Sequence, residues 1–295
     1  MAIIVIRLAK RKVNGMHNKA INCAIDYIRA HLEENLTVED IAEQCHFSKF
    51  YFNRLFKSVV GESVYAFIKR QRIEKSALRM SLEPEKSITE IGVHYGYSAS
   101  NYSVAFKKHY GLSPATFKKN RKETRVIRHR KYYPVDLTKK SYDDYNRHIR
   151  PVQLPDFEVI YQRFIGEYYN HPGYWKEFCT AHAHYIDEES KYFDISYDDP
   201  IITDENRCIA DICITTTQPI GPDCTTKVIE GGLYMVYNFQ GPLTKIFETF
   251  QGLMSIWMMG TSLTLDIETR KIVSHYKEIN HQNNHVNMDI YIPVG

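Results

Sequence analysis

Through about the first 120 residues, apolar side chains recur every three or four positions, which is the spacing of amphipathic helices. One pattern occurs twice at an offset of 50 residues, and each copy predicts a helix, a short turn and a second helix that ends at a glycine. A longer helix predicted over 63–80 separates the two copies and holds them at a fixed distance. The aligned positions include Phe52 with Tyr102, Phe56 with Phe106 and Gly61 with Gly111. The long helix is expected to have a basic outer face of Lys69, Arg70, Arg72, Lys75 and Arg79.

From about residue 132 onwards, the pattern changes to short alternating or continuous apolar runs, which predict strands. The predicted strands are 157–164, 207–215, 232–239 and 286–293, and the predicted helices are about 172–188 and 242–257. An offset of 75 residues aligns Phe164 and Gly166 with Phe239 and Gly241. The expected fold is therefore multidomain, with an all-α double helix-turn-helix N-terminal domain and an α+β C-terminal domain that contains two pseudo-repeated strand–helix units.

The chain has 295 residues, which is enough for more than one core. We expect an N-terminal extension over 1–15, a helical domain over 16–122, a basic linker over 123–151 and an α+β domain over 152–295. Translation is expected to start at Met1 or at Met16, because Met16 opens the first helical pattern. The extension is apolar first and basic afterwards, the reverse of a secretory signal, and no apolar run approaches the roughly 18 residues of a membrane helix. With six cysteines and no CxxC pair, these features predict a cytoplasmic protein with reduced thiols.

The net charge of +3 conceals an uneven distribution. Residues 1–131 contain 25 Lys and Arg against 12 Asp and Glu, whereas residues 132–295 contain 13 against 23. A basic domain attracts the phosphate backbone of nucleic acids, and two helix-turn-helix units can place two helices in successive major-groove segments of one duplex. The N-terminal half is therefore expected to bind double-stranded DNA. The alternative is a helical bundle whose basic face is merely solvated.

The outward side chains of each second helix are the candidates for reading DNA bases. In the first unit, Arg54 suits a bidentate contact with guanine and Asn53 suits adenine. In the second unit, the corresponding outward polar residues are Ser100, Asn101 and Ser103.

Two segments carry a family resemblance, IAEQCHFSKFYFNRLFKSVVGES at 41–63 and ITEIGVHYGYSASNYSVAFKKHYGLSPATFKK at 88–119. They resemble the DNA-binding domain of AraC/XylS family transcription regulators, and the resemblance covers residues 17–122. It implies that outward residues of the first reading helix contact bases or phosphates. Val104 stands where many members carry a polar residue or Arg, so the second unit is expected to act mainly as a backbone anchor. The full set of expected DNA contacts is Lys49, Phe50, Asn53, Arg54, Lys57, Ser100, Asn101, Ser103, Lys107 and Lys108.

The C-terminal half resembles the gyrase-inhibitor-like effector-binding domain over 152–295. The matching segments are RFIGEY at 163–168, YDDP at 197–200, ADICI at 210–214, EGGLY at 230–234 and GP at 241–242. The resemblance implies a cleft between the two copies that binds a small aromatic or apolar effector. Many members carry a Glu where this chain has His275, so the charge of the effector stays open, with Glu167 as an alternative acid. The residues expected to line the cleft are Tyr168, Trp175, Tyr234, Trp257, His275 and Tyr276.

Two functions remain open at this point. The first is a transcription regulator that binds promoter DNA and is controlled by a small-molecule effector, through domain docking, oligomerisation or contact with RNA polymerase. The second is a protein that sequesters or hydrolyses a small molecule and whose DNA-binding domain is accessory. We expect no catalytic residues, no cofactor and no membrane partner. We also expect no metal, because the histidine pairs at 182 and 184 and at 281 and 285 have no third ligand in a known spacing.

Overall fold

A computed structural model describes residues 17–119, 140–222, 224–267, 269–280 and 282–295. The chain forms two compact units, which divide between Arg121 and Lys122. The predicted extension over 1–15 and residues 123–139 of the predicted linker lie outside the described residues.

The described part of the N-terminal unit is all-α, as predicted. The helices are α1 (17–30), α2 (Val38–Gln44), α3 (Lys49–Val60), α4 (Val64–Leu82), α5 (Ile88–His94), α6 (Ala99–Tyr110) and α7 (Pro114–Lys119). The two helix-turn-helix units are α2–α3 and α5–α6, and α4 is the long helix that joins them. The 50-residue offset is therefore a repeat of one structural unit.

The ends of these helices follow from their sequences. Thr37 with Asp40 and Ser87 with Glu90 form reciprocal capping boxes at the starts of α2 and α5. The reading helices α3 and α6 both end at a left-handed glycine, with φ of 85° at Gly61 and 78° at Gly111. Because only the helix ends need these special residues, the intervening positions are free to carry the core and the outer surface.

The two units fill the same internal space with different side chains. Phe52 and Phe56 of α3 and Tyr102 and Phe106 of α6 are buried. A Cβ atom added to Gly92 would lie 2.8 Å from the ring of Tyr102, so α5 needs a glycine there, whereas α2 has Ala42 at the equivalent position. The Tyr102 hydroxyl donates to Ser76 Oγ of α4 at 2.8 Å.

The predicted basic outer face of α4 is wrong for four of its five members, because Lys69 is exposed whereas Arg70, Arg72, Lys75 and Arg79 are buried or half-buried. Arg70 is buried and forms ion pairs of 2.7 Å with both Glu62 and Glu74. Arg72 donates to the carbonyl of Leu32 at 2.8 Å, and the half-buried Arg79 pairs with Glu83 at 3.0 Å. These arginines stabilise the domain instead of facing solvent, because α4 is the central helix and most of its circumference is covered.

The C-terminal unit is an α+β domain with an eight-stranded sheet. Its helices are α8 (Tyr142–Asn146), α9 (His171–Ala181) and α10 (Ile246–Gly252), and α10 continues through a π-helical turn, Leu253–Trp257. Its strands are β1 (Ile149–Leu154), β2 (Phe157–Ile165), β3 (Tyr192–Ser196), β4 (Ile209–Ile214), β5 (Thr226–Ile229), β6 (Gly232–Pro242), β7 (Ile272–Asn280) and β8 (His285–Pro293). The predicted strands match β2, β4, β6 and β8, and the sequence patterns did not indicate the other four.

The sheet is antiparallel throughout and has a symmetric order, β5-β2-β4-β3-β7-β8-β6-β1. One copy of the 75-residue repeat is β2-α9-β3-β4, and the other is β6-α10-β7-β8. Within each copy the first strand pairs with the third, and the third pairs with the second. The two copies meet where β3 pairs with β7, so this junction lies at the centre of the sheet.

The C-terminal unit begins before residue 152, the start expected from the sequence. β1 pairs with β6 from Ile149 onwards, and Tyr145 of α8 is buried with its ring 5.9 Å from that of Tyr237. The indole nitrogen of Trp257 donates to Asn146 at 3.0 Å. Residues 142–151 therefore belong to the packed domain and not to a linker.

Asp211 of β4 is the centre of a buried ion cluster. Its side chain is completely buried and accepts two hydrogen bonds from Arg163 of β2, at 2.7 and 2.8 Å. Lys227 of β5 and the hydroxyl of Tyr197 donate to the same carboxylate. Burial alone would raise the pKa of Asp211, but the two neighbouring cations outweigh it and hold the pKa well below its usual range. The cluster therefore ties three adjacent strands together through one carboxylate.

We expect Asp211→Ala to lower the free energy of unfolding of the C-terminal domain by about 3–5 kcal/mol, because the buried Arg163 side chain and the partly buried Lys227 side chain lose their counter-charge. Both tryptophans of the chain, Trp175 and Trp257, lie in this domain. Urea unfolding followed by tryptophan fluorescence therefore measures the effect.

The matched control is Glu248→Ala, which breaks the more exposed pair with Lys245 and is expected to cost less than about 1 kcal/mol. Since folding lowers the pKa of Asp211, its stabilisation is fully present above the unfolded value of 3.8 and is lost as the pH falls further. Equal urea midpoints for the two variants would contradict a stabilising role for the cluster.

Candidate nucleic-acid interface and ligand site

The outer face of α3 presents most of the side chains expected to contact DNA. Because Phe52 and Phe56 take the core positions, Phe50, Arg54 and Lys57 point outward, and Phe50 is 80% exposed. Lys49 is also exposed and forms an ion pair with Glu39 of α2. A guanidinium, an ammonium and a bare aromatic ring are thus available on one helix face.

Asn53 differs from its neighbours because the fold uses its side chain. It is half-buried, and its Oδ1 accepts a hydrogen bond from the backbone N–H of Val64 at 3.2 Å. Val64 is the first residue of α4, where a backbone N–H has no partner within its own helix. Bidentate reading of adenine would need the same oxygen together with the amide nitrogen. A base contact by Asn53 would therefore compete with its hydrogen bond to Val64 for the same Oδ1 atom. The exposed Arg54 is under no such constraint.

The outer face of α6 carries shorter polar side chains than that of α3 over its first two turns. The expected contacts are all exposed, namely Ser100, Asn101, Ser103, Lys107 and Lys108. Val104 lies among them and is 69% exposed. It is the sixth residue of α6, and Arg54 is the sixth residue of α3.

In the C-terminal domain, the junction of the two copies brings together a cluster of aromatic and polar side chains. The antiparallel register pairs Tyr192 with Tyr276 and Asp194 with Ser274, which puts these four residues on one face of the sheet. Trp175 of α9 packs over them, with its ring centroid 5.5 Å from Tyr276 and 6.0 Å from Tyr192. We call these five residues the Asp194 cluster.

Asp194 is a buried carboxylate with an incomplete set of hydrogen bonds. Its side chain is almost fully covered, at 2% exposure, and Oδ2 accepts from the Tyr276 hydroxyl at 2.6 Å. Among the described residues, neither Asp194 Oδ1 nor the buried Ser274 Oγ has a hydrogen-bond partner. Burial and the adjacent carboxylate raise the pKa of Tyr276 well above its usual value, so the phenol stays protonated and donates. The cluster therefore contains an acceptor oxygen, Asp194 Oδ1, that has no hydrogen bond and is surrounded by aromatic rings.

His275, expected beside Tyr276 in the cleft, lies on the opposite face of the sheet. Its ring stacks on Phe193 with centroids 4.6 Å apart. Burial lowers its pKa, which favours the neutral imidazole. Position 275 holds no acid and the expected alternative, Glu167, is exposed, whereas the buried acid is Asp194 on the neighbouring strand. The alternation of side chains along a strand is the signal that separates His275 from Tyr276.

The remaining three expected ligand residues are engaged elsewhere. The Tyr168 hydroxyl donates to backbone carbonyls at Asp198 and Ile209, at 3.1 and 2.9 Å. The Tyr234 hydroxyl donates to the carbonyl of Glu230 at 2.7 Å, and Trp257 is fully buried in its bond to Asn146 described above. Of the six residues expected to share a cleft, the structure brings Trp175 and Tyr276 into contact.

Two other kinds of site are absent from the described residues. Within those ranges, no group of three or more His, Cys, Asp or Glu is placed to hold a metal ion. His281, one of the four histidines in the two pairs named above, lies outside the described residues. No described helix is both long and apolar enough to cross a membrane.

Each of the two units matches a known family of domains. A sequence profile described as a GyrI-like small molecule binding domain matches residues 148–295, which is half of the chain. A profile described as a helix-turn-helix domain matches residues 41–120. The first match includes all eight strands, and the second includes α3 to α7 and begins inside α2, at Ile41.

Individual relatives match the N-terminal half. The uncharacterized HTH-type transcriptional regulator YbfP of Bacillus subtilis is 32% identical over 103 residues, which are 35% of this chain and 35% of that protein. The right origin-binding protein of Escherichia coli K12 is 30% identical over 95 residues, 32% of each chain. The solved C-terminal domain of AraT, a response regulator from Geobacillus stearothermophilus, is 33% identical with a TM-score of 0.33, over 34% of this chain and 84% of that one. The match thus spans about a third of the length of the two curated relatives.

The free energies of unfolding of two variants test whether Asn53, unlike Arg54, stabilises the helical domain. We expect Asn53→Ala to lower the free energy of unfolding of the helical domain by about 1 kcal/mol, because the N–H of Val64 loses its acceptor. The matched control Arg54→Ala removes an exposed side chain and is expected to change it by less than about 0.5 kcal/mol. Denaturant unfolding followed by far-ultraviolet circular dichroism measures both. Equal losses from the two variants would show that the Asn53 bond does not stabilise the domain.

Proposed function

Because this chain belongs to the family with a GyrI-like small molecule binding domain and carries an AraC-type helix-turn-helix domain, we propose that it is a transcription regulator whose action at promoter DNA is controlled by a small-molecule effector. The matched pair of reading helices carries the DNA-binding part of the proposal. Helices α3 and α6 have the same length, begin after a serine and end at a left-handed glycine. Each turns two aromatic side chains inward, Phe52 and Phe56 on α3 and Tyr102 and Phe106 on α6, and leaves polar side chains on its outer face, as two helices that enter successive major-groove segments would have to do.

Charge supports the same proposal. Residues 1–131 contain about twice as many basic as acidic side chains. Lys57 near the end of α3 and Lys107 and Lys108 near the end of α6 are exposed and suit phosphate contacts. Such contacts give affinity, while Arg54 gives a bidentate donor for guanine.

We expect the full chain to bind a duplex selected from random DNA with an affinity that falls linearly as the logarithm of salt concentration rises. Lys57→Ala is expected to weaken binding to all sequences alike and to reduce the salt slope by about 1. Arg54→Ala is expected to lower discrimination at one guanine by about 1–3 kcal/mol. Fluorescence anisotropy titrations at several salt concentrations measure both effects.

The control for these titrations is Lys245→Ala, which removes an exposed lysine from the acidic domain and is expected to leave the slope unchanged. Binding that ignores salt, or an equal effect of the Lys57 and Lys245 variants, would count against α3 as a DNA-contacting helix.

For the effector, we infer a small molecule with a protonated amine and an aromatic or apolar body, bound at the Asp194 cluster. The amine would donate to the unpartnered Oδ1 of Asp194, which relieves the cost of leaving a buried carboxylate oxygen unbonded. The rings of Trp175 and Tyr276 would contact the body of the ligand and favour its charge. The acid that many relatives place elsewhere would thus come from β3.

Two probes of matched shape test this inference. Phenethylammonium is expected to bind the full chain at least about tenfold more tightly than phenethyl alcohol, because only the former brings a positive charge to the carboxylate as well as a hydrogen-bond donor. Asp194→Asn keeps the shape and is expected to abolish the preference, whereas Glu167→Gln leaves it intact. The change in tryptophan fluorescence, to which Trp175 contributes, gives both affinities.

An ammonium preference that survives Asp194→Asn would show that another acid binds the charge. If the two probes bind equally to the unmodified chain, the effector is not a cation. Either result leaves the DNA-binding part of the proposal to its own titrations.

A further inference from the structure

The second reading helix presents an apolar side chain where the first presents a guanidinium. Val104 and Arg54 both occupy the sixth position of a 12-residue helix that follows a serine and ends at a left-handed glycine. The first helix carries its own exposed apolar group, Phe50, one turn earlier, where the second helix has Ser100. The two helices therefore exchange a polar and an apolar group between the same two positions.

Exposure alone does not explain Val104, since single exposed apolar side chains are common on protein surfaces. Its position is the informative feature. Val104 is 69% exposed and supports no core contact of the kind made by Tyr102 and Phe106, which take the inward positions of the same helix. Its methyl groups are therefore free to meet whatever surface α6 approaches.

The chemistry of the major groove limits what an apolar side chain can read there. Each base edge shows donors or acceptors, and thymine alone adds a methyl group at C5. A valine makes no hydrogen bond, so it gains by contact with that methyl and loses by covering a polar edge. Ser100 and Ser103 next to it are short, which lets the helix approach the base edges closely.

We propose that Val104 selects a thymine through its C5 methyl group. The sixth residue of each reading helix then recognises one base, which is guanine for Arg54 in the first unit and thymine for Val104 in the second unit. The inference rests on the proposed DNA-binding function and names the base that its second unit recognises. Lys107 and Lys108 anchor the backbone beside it. The second unit thereby contributes to sequence specificity and not to affinity alone.

Replacement of thymine by deoxyuridine tests the proposal, because it removes the methyl group and nothing else. In a duplex selected with the full chain, each thymine is replaced in turn and binding is measured by anisotropy. One replacement, in the half-site that does not contain the guanine read by Arg54, is expected to weaken binding roughly three- to fivefold. This is the effect of losing one buried methyl group. Val104→Ala is expected to reduce that penalty to less than about 1.5-fold.

The matched control is Val93→Ala, which removes an equally apolar and 59% exposed side chain from α5, outside the reading helix. It is expected to leave every deoxyuridine penalty unchanged. Selection repeated with Val104→Arg is expected to replace the preferred thymine by guanine, as at the position read by Arg54. Because all three substitutions are at exposed sites, circular dichroism is expected to show an unchanged fold.

The inference is overturned if no thymine shows a methyl-dependent loss, or if Val104→Ala keeps the full loss. If either result is found while Arg54 still selects guanine, the proposed function stands and only the role of Val104 is refuted. If the full chain enriches no duplex sequence, both fail together.

Discussion

The burial of two aromatic rings, one helical turn apart, determines which surface each reading helix presents. On α3 these rings are Phe52 and Phe56, and on α6 they are Tyr102 and Phe106. Each buried ring contributes about 1.5–3 kcal/mol, so the contacts that hold the domain together also set the rotation of each helix about its axis. The outward positions carry no such duty. Their chemistry can therefore differ between the two units while the scaffold stays the same.

In the C-terminal domain, the pairing of β3 with β7 has the corresponding importance. It places Asp194 on the helix-covered face of the sheet, one strand away from Asp211 on the other face. Both carboxylates are buried, but Asp211 is matched by Arg163 and Lys227, whereas Asp194 has the hydroxyl of Tyr276. An unmatched buried oxygen costs roughly 1–3 kcal/mol, and the domain keeps it at the centre of its pseudo-symmetric sheet. The contrast separates a carboxylate whose charge is matched by two cations from one that keeps an oxygen without a hydrogen bond.

Sequence patterns were sufficient for the helical domain because its order is local. The residues that define helical spacing, capping boxes and terminal glycines lie within a few positions of one another. The 50-residue repeat shows the same pattern a second time. The central strands were harder. β3 has five residues and β7 contains several polar ones, so neither shows a strong alternation. The contact of Asp194 with Tyr276 joins residues 82 positions apart, and the burial of Arg70 depends on the helices packed around α4. Neither follows from local spacing.

The close fit of Gly92 against Tyr102 limits how the two helical units can be exchanged. The first unit has Ala42 and Phe52 at the two equivalent positions, whereas the second has a smaller residue and a larger ring, whose hydroxyl also bonds to Ser76. A reading helix moved from one unit to the other would bring its ring without the matching residue on the preceding helix. The transferable module is therefore the helix pair with its partner on α4, and chimaeras built at that boundary keep the core volume that a swap of the reading helix alone would disturb.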